Sequence, residues 1–450
     1  MTDRNPAPVD SRSTGSEHVD RGLPVRRAMI AAASGSFLEW YDFYLFGIAA
    51  GLVFPQLFFP GQSETAGLLN SFGTFAAGFV MRPVGAVVFG HWGDRIGRRR
   101  MLLFTVLLMG LGTFVIGLLP TYDTLGAVAP LLLVLVRLVQ GIGIGGEFGG
   151  GALVALENAP RGRRGAMGSV HQMGTPLGLL VATGVFALIQ LLSESQVEGW
   201  AWRVPFLLSG LFVLIAAYIR RSLPETRAFQ ADREPVRRLP IAGLLRDHPR
   251  NVLLATGARL ADAVTFNVIN VFGIAFASTQ LGVGKGIMLT GFVIAAAVEI
   301  VVIPVVGIIS DRVGRRPVYL FGTLMCVVVA FAYFPLLATG NTLVVWLTIV
   351  VALAIGTGSM FAIQGTYFAE MFSTSTRYTG LGVAYQVSAL VAGAPTPAIA
   401  TALASAWSQS WWPVAIYMAV VCVVSAVCVL LSAEARDVDL TREETTVGSA

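Results

Sequence analysis

The decapeptide Gly-x-x-x-Asp-Arg-x-Gly-Arg-Arg occurs twice in this chain, from Gly90 to Arg99 and again from Gly307 to Arg316. The copies are offset by 217 residues, nearly half of the 450-residue chain, and each reads as a charged loop between two long apolar runs. A repeat of this spacing points to two homologous halves. A second block repeats at almost the same offset. Glu157 precedes Arg164 by seven residues and Glu370 precedes Arg377 by seven; Gly168 and Gln172 follow in one half, Gly382 and Gln386 in the other. These offsets, 213 and 214, differ from 217 only by a short insertion, which makes chance similarity a poor explanation.

The solvent of such a chain follows from its charge content. Only 13% of residues are charged and 55% are hydrophobic, with mean hydropathy +0.72. Soluble domains carry roughly 25% charged residues. Lipid must therefore solvate much of this chain. The first 25 residues are polar and lack an apolar segment, so no cleavable signal peptide is expected. Cys326, Cys422 and Cys428 stand singly in apolar runs, so neither a disulfide framework nor metal spacing is expected.

A spanning helix needs about 20 apolar residues. The pattern predicts twelve: 27–54, 66–91, 101–120, 126–157, 164–192, 204–221, 250–278, 285–309, 317–337, 341–368, 378–404 and 412–432. The arginines set the orientation. Arg21, Arg26 and Arg27, then Arg95 and Arg98–Arg100, Arg161, Arg163 and Arg164, Arg227 to Arg246, Arg312, Arg315, Arg316 and Arg377 all fall on one side. Arg203 and Lys285 are the main exceptions. Both termini are accordingly expected in the cytoplasm of a multi-pass cell-membrane protein. This placement explains the net charge of +5 better than a nucleic-acid partner does. The expected organisation is an N-tail (1–26), a six-helix bundle (27–221), a linker (222–249), a second six-helix bundle (250–432) and a polar C-tail (433–450).

The repeated loops read as a latch. Asp94 can cap a helix end and pair with arginines of facing helices when that side is shut. Gly90 and Gly97 permit close packing and a tight turn. Arg95, Arg98, Gly307, Asp311, Arg312 and Arg315 take the same reading, with Glu157, Arg164, Glu370 and Arg377 beside them. The bland alternative is a basic loop that sets topology, but such a loop does not require the Gly and Asp positions.

Charges at bilayer depth cost about 2.5–3.5 kcal/mol each, so they are functional candidates. Five acids (Glu39, Asp42, Glu147, Asp262, Glu299) and three arginines (Arg82, Arg137, Arg259) lie in apolar runs. An acid surplus is easiest to hold if some acids are protonated during a cycle, as proton coupling requires. The arginines stay charged and suit carboxylate recognition, Arg259 and Arg137 being the expected carboxylate contacts and Arg82 a lesser one, with Asp42, Glu39 and Asp262 the expected proton carriers. Glu39 and Asp42 share a helix face among Trp40, Tyr41 and Tyr44. Arg137 and Gln140 share another, with Glu147 beyond them in a glycine run that lets a helix approach closely. Glu147 can pair with Arg137 to fix a helix contact, or serve as a proton site beside a cavity arginine. Arg259 and Asp262 can pair with each other or exchange that contact for solute. Glu299 can serve as a partner for an arginine of helix 7. Tyr41, Asn267, Tyr385 and Gln386 complete the candidate solute contacts, whereas His171 reads as a packed side chain.

With these residues in place, the decapeptide resembles the signature of the major facilitators between helices 2 and 3 and between helices 8 and 9. The chain as a whole is similar to their metabolite:proton symporter family, whose members carry shikimate, 2-oxoglutarate, citrate or proline/betaine. The stretches that carry the resemblance are Glu39-Trp-Tyr-Asp-Phe43, Arg82-Pro-Val-Gly85, Gly145-Gly-Glu-Phe-Gly-Gly150, Trp200-Ala-Trp-Arg-Val-Pro-Phe206 and Leu223-Pro-Glu-Thr226. Arg259-Leu-Ala-Asp262 and Arg377 to Val387 resemble the shikimate carriers most, although Glu39 stands where those carriers lead one to expect Asp. The resemblance implies an all-α fold of two pseudo-symmetric six-helix bundles. It also implies uptake of a small organic acid with protons and without a cofactor. Rival expectations are uptake of a zwitterionic osmolyte, drug/proton efflux (Gly174-Thr-Pro-Leu-Gly178 is only faintly like an antiporter element) and a non-transporting sensor. An enzyme is the least expected reading, since no nucleophile–base set, metal cluster or nucleotide loop appears.

Overall fold

The computed structural model describes residues 22–96, 98–160, 162–221, 240–373 and 376–434. Gly97, Arg21, Arg161, the 222–239 part of the linker with Arg227, Arg233, Arg237 and Arg238, and the C-tail from 435 lie outside them, as do the side chains of Asp94 and Arg98. Among the described residues all regular structure is helical. With no water in a bilayer core, a spanning segment must satisfy its backbone internally.

The first half contains α1 (Gly22–Leu52), α2 (Glu64–Ile96), α3 (Arg98–Leu118), α4 (Val128–Glu157), α5 (Arg164–Ile189) and α6 (Arg203–Arg221). The second contains α7 (Pro249–Gln280), α8 (Lys285–Val313), α9 (Arg315–Leu337), α10 (Thr342–Ala369), α11 (Arg377–Ala406) and α12 (Trp412–Leu431). Eleven of these are apolar enough to cross a membrane by composition alone. α1, diluted by Arg26, Arg27, Glu39 and Asp42, completes the twelve. Part of the expected linker, Pro240–Asp247, is a helix that packs against α2, α7 and α11, with Leu244 buried.

The decapeptides are not loops, contrary to the sequence expectation. α2 and α8 run through them to Ile96 and Val313, and the next helices start at Arg98 and Arg315. Extending a helix costs little where each added residue gains a backbone bond. In the second copy the whole turn is Gly314, whose φ of 109° a side chain would strain. Turns of π-helix interrupt α7 at Val268–Phe272, α10 at Val351–Thr357 and α11 at Ala389–Gly393.

The halves meet where α5 packs on α8 and α10, and where α11 packs on α2 and α4. Glycine permits close crossings between the halves. A Cβ on Gly90 would stand 2.9 Å from the Cα of Thr379, and one on Gly307 would stand 2.7 Å from the carbonyl oxygen of Gly165. Gly307→Leu is therefore expected to hold the arginine-rich end apart. Alkylation of a cysteine introduced beside Ser169 should speed up at least about tenfold, with membrane insertion unchanged; unaltered labelling would show that this crossing does not set closure.

Candidate functional site

At the arginine-rich end, the carboxylate of Asp311 in α8 accepts the backbone N–H groups of Gly165 (2.8 Å) and Ala166 (2.9 Å) at the start of α5. It thus satisfies two orphan donors of a helix in the other half, where the helix dipole also favours a negative charge. Arg315 ties the acid down. Its guanidinium lies 2.9 Å from Asp311, donates to Ser310 Oγ and reaches Glu370 at 3.3 Å. Glu370 faces Arg164 of the other half at 3.8 Å, while Arg377 crosses the opposite way to Glu157 at 3.5 Å. Tyr378 of α11 donates to the Gly146 carbonyl of α4 at 2.6 Å. Arg95 and Arg312 are exposed, with Arg95 lying over Trp92.

Inside the first half, Asp42 is fully engaged. Arg137 contacts it at 2.7 Å, Thr113 donates to it at 2.7 Å and Gln140 at 3.0 Å. The Arg137 guanidinium also lies 4.0 Å over the Phe46 ring. All four polar side chains are buried. Glu147 pairs not with Arg137 but with Arg220 of α6, in a two-pronged contact of 2.5 and 2.9 Å, and Thr105 donates to it as well. Arg220 was hidden in the sequence because Arg220-Arg221 reads as the basic end of helix 6. Only the fold turns one of the two inward.

A different cluster lies between the halves. Tyr385 of α11 stacks on Phe148 of α4, with ring centroids 3.5 Å apart, and the Arg259 guanidinium lies 3.6 Å from the Tyr385 centroid. Arg259 does not pair with Asp262. It donates to Gln364 (3.3 Å) and Ser388 (3.0 Å), and Gln364 in turn approaches Asp262 at 3.4 Å. From the other half comes Arg82, buried, with its guanidinium 4.1 Å over Phe79 and no bonded partner on Nε. Glu39, also buried, makes no hydrogen bond or ion pair with a described residue. Its charged neighbours are Arg82, Glu147, Arg259 and Asp42. Glu299 is half-buried and forms no ion pair, so it does not anchor an arginine of α7.

Of the other sequence candidates, Tyr41 lies away from this cluster, donating to the Pro205 carbonyl inside the first half at 2.7 Å. Asn267 donates to its own helix at Ala263. Gln386 is buried with neither amide atom bonded. His171, at its Nδ1, contacts the Ala32 carbonyl, as a packed side chain would. Gly174 and Gly178 seat α5 against the backbone of α1 at Ser36 and Tyr41, a packing use of that glycine–proline stretch. Among the described residues no cluster of His, Cys, Asp and Glu could hold a metal.

Two outcomes follow. Asp42→Asn leaves Arg137 charged and uncompensated, so thermal unfolding in detergent should show a loss of about 3–5 kcal/mol, while Glu39→Gln, which breaks no pair, should stay close to wild type. Beyond the membrane span, burial pushes the Glu370 carboxyl up to about 7 against the pull of Arg315 and Arg164. A carboxyl raised this way from 4.5 stabilises the closed arrangement at low pH and loses that contribution as pH rises through about 7. Inter-half cysteine cross-linking at this end should therefore weaken from about pH 6 to about pH 8, and Glu370→Gln should flatten the profile.

Comparison with known proteins places this geometry. The sequence model described as Major Facilitator Superfamily matches residues 32–394 and 263–448. The shikimate transporter of Escherichia coli (strain K12) is 38% identical over 417 residues, covering 91% of this chain and 95% of the relative. The proline/betaine transporter of the same strain is 32% identical over 418 residues, covering 90% and 82%. Among solved structures, the proton:xylose symporter XylE bound to 6-bromo-6-deoxy-D-glucose superposes with a TM-score of 0.74 at 18% identity, covering 91% of this chain and 95% of that one.

Proposed function

Because this chain belongs to the Major Facilitator Superfamily, whose members are transporters rather than enzymes, we propose that it imports a small organic carboxylate together with protons. In this reading the arginine-rich end faces the cytoplasm and both termini lie there. The observation that carries it is the pair Arg82 and Arg259. One comes from each half, both are buried, and neither holds a carboxylate. Arg137, by contrast, is already committed to Asp42.

A buried cation without a counter-ion is costly, and an anionic solute supplies one. Tyr385 stands beside both arginines, so a carboxylate on its hydroxyl edge reaches either half. Glu39 is the nearest competitor for Arg82. When Glu39 is an anion it occupies the field of Arg82; when it takes a proton that field is free for solute. Proton and anion therefore enter together. Asp262 stands in the same relation to Arg259 in the second half, with Glu299 beside it as a further proton site, and Asp42 is the reserve site whose protonation would loosen Arg137. The Asp311 and Glu370 contacts then separate to open the inner end, and the halves rock about the central cluster.

A second reading has one observation of its own. Trp40, Phe43 and Tyr44 form contiguous aromatic walls near Glu39 and Glu299. Such walls suit a quaternary ammonium, so a zwitterion of the betaine kind is the alternative.

Proteoliposomes discriminate these readings. An imposed inward proton gradient should drive accumulation of shikimate or a related carboxylate. Arg82→Ala and Arg259→Ala should each weaken apparent affinity by about 2–5 kcal/mol. Glu39→Gln should retain counterflow but lose gradient-driven accumulation. Uptake indifferent to the gradient would sink proton coupling, and preference for glycine betaine over every anion would replace the carboxylate reading.

A further inference from the structure

Gln386 is the one candidate contact whose entire amide is without a partner: both Nε2 and Oε1 are buried and unbonded, with the residue 1% exposed. An amide left so is costly, because it can donate and accept and here does neither. Its counterpart in the first half behaves differently. Gln172, related to Gln386 by the 214-residue offset, donates to the Phe361 carbonyl of the opposite half at 2.9 Å. Gln386 makes no such bond to the first half, so the pseudo-symmetry is broken at this position.

The register shows what it faces. α2 and α11 run antiparallel, with Gly90 against Thr379 and Ala86 against Gly382. One further turn along each helix brings Arg82 and Gln386 to one level on facing helices. That turn of α2 contains Pro83, which has no N–H, so the Phe79 carbonyl loses its intrahelical donor. Two side chains with unbonded atoms thus share one level, a guanidinium with Nε free and an amide with both atoms free, beside a backbone carbonyl that lacks its usual i+4 donor. Glu39 lies in the field of the same guanidinium.

We propose that Gln386 selects a hydroxylated carboxylate, with Arg82 receiving the carboxylate and the Gln386 amide receiving an adjacent hydroxyl. This rests on the anion reading above and narrows it. A carboxylate alone can satisfy Arg82 and the amide N–H. Only a group that also donates can satisfy the amide oxygen or the Phe79 carbonyl. Hydroxyl does both, whereas a plain hydrocarbon acid or a quaternary ammonium leaves the acceptors stranded. A site built to bond a hydroxyl rejects the analogue lacking it more strongly than an apolar pocket rejects an added methylene.

Calorimetry on the purified full-length protein tests this with shikimate, cyclohexene-1-carboxylate and glycine betaine. Wild type should bind shikimate at least about tenfold more tightly than the deoxygenated ring acid. Gln386→Leu should bring that ratio to within about twofold by weakening shikimate while sparing the plain acid. Gln386→Met, which keeps the length without the amide, should do the same if the leucine variant does not assemble. Equal binding of the two acids to wild type, or an undiminished ratio in either variant, overturns the role of Gln386 and leaves the anion reading standing. Binding of glycine betaine with neither acid overturns both.

Discussion

The carboxylate of Asp311, closed over two backbone N–H groups of α5, is the contact that the remaining arrangement depends on. A helix start buried against another bundle has donors that water cannot reach. An acid delivered from the opposite half satisfies them only while the halves are together. Glycine makes the approach possible, since Gly165 and Gly307 lie too close for a Cβ on either. Arg315 and Glu370 extend the contact into a network crossing the interface. A network of this kind is bistable rather than elastic, because it is either bonded and dry or separated and hydrated.

Charge compensation then separates scaffold from site. Asp42 with Arg137, and Glu147 with Arg220, are ion pairs that lock α1 to α4 and α4 to α6, with Nε of each arginine left unbonded. Their carboxylates also accept from Thr113, Gln140 and Thr105. Arg82, Glu39, Arg259 and Asp262 are different, because each is buried and none has an ion-pair partner. They converge around Tyr385, whose ring is held between Phe148 of one half and Arg259 of the other. On the function proposed above, a group there would sense both the solute and the separation of the halves, which is the physical requirement for coupling them.

Much of this was legible in the residues. The duplicated Gly and Asp positions, the matching Glu–Arg spacing and the apolar runs identified two six-helix halves, and the arginines picked out one end. Single intramembrane charges were also visible, because a charge in an apolar run has no other common explanation. Their partners were not. Arg220 looked like a helix terminus, Glu147 looked like a match for Arg137, and Asp262 looked like a match for Arg259. The i, i+3 spacing shows which residues share a face of one helix, but whether a partner from a second helix is nearer depends on how the helices pack.

The sequence by itself determined the repeat, the number of helices, the family and the set of charges that lipid cannot solvate. These follow from local composition and spacing, which each segment carries alone. Only the tertiary structure decided which charges are paired and which are not. It committed Arg137 to Asp42, left Arg82 and Arg259 open, and stranded the amide of Gln386. The reason is that compensation of a buried charge is a property of the contact between helices, where a shift of one turn exchanges a partner for an empty position.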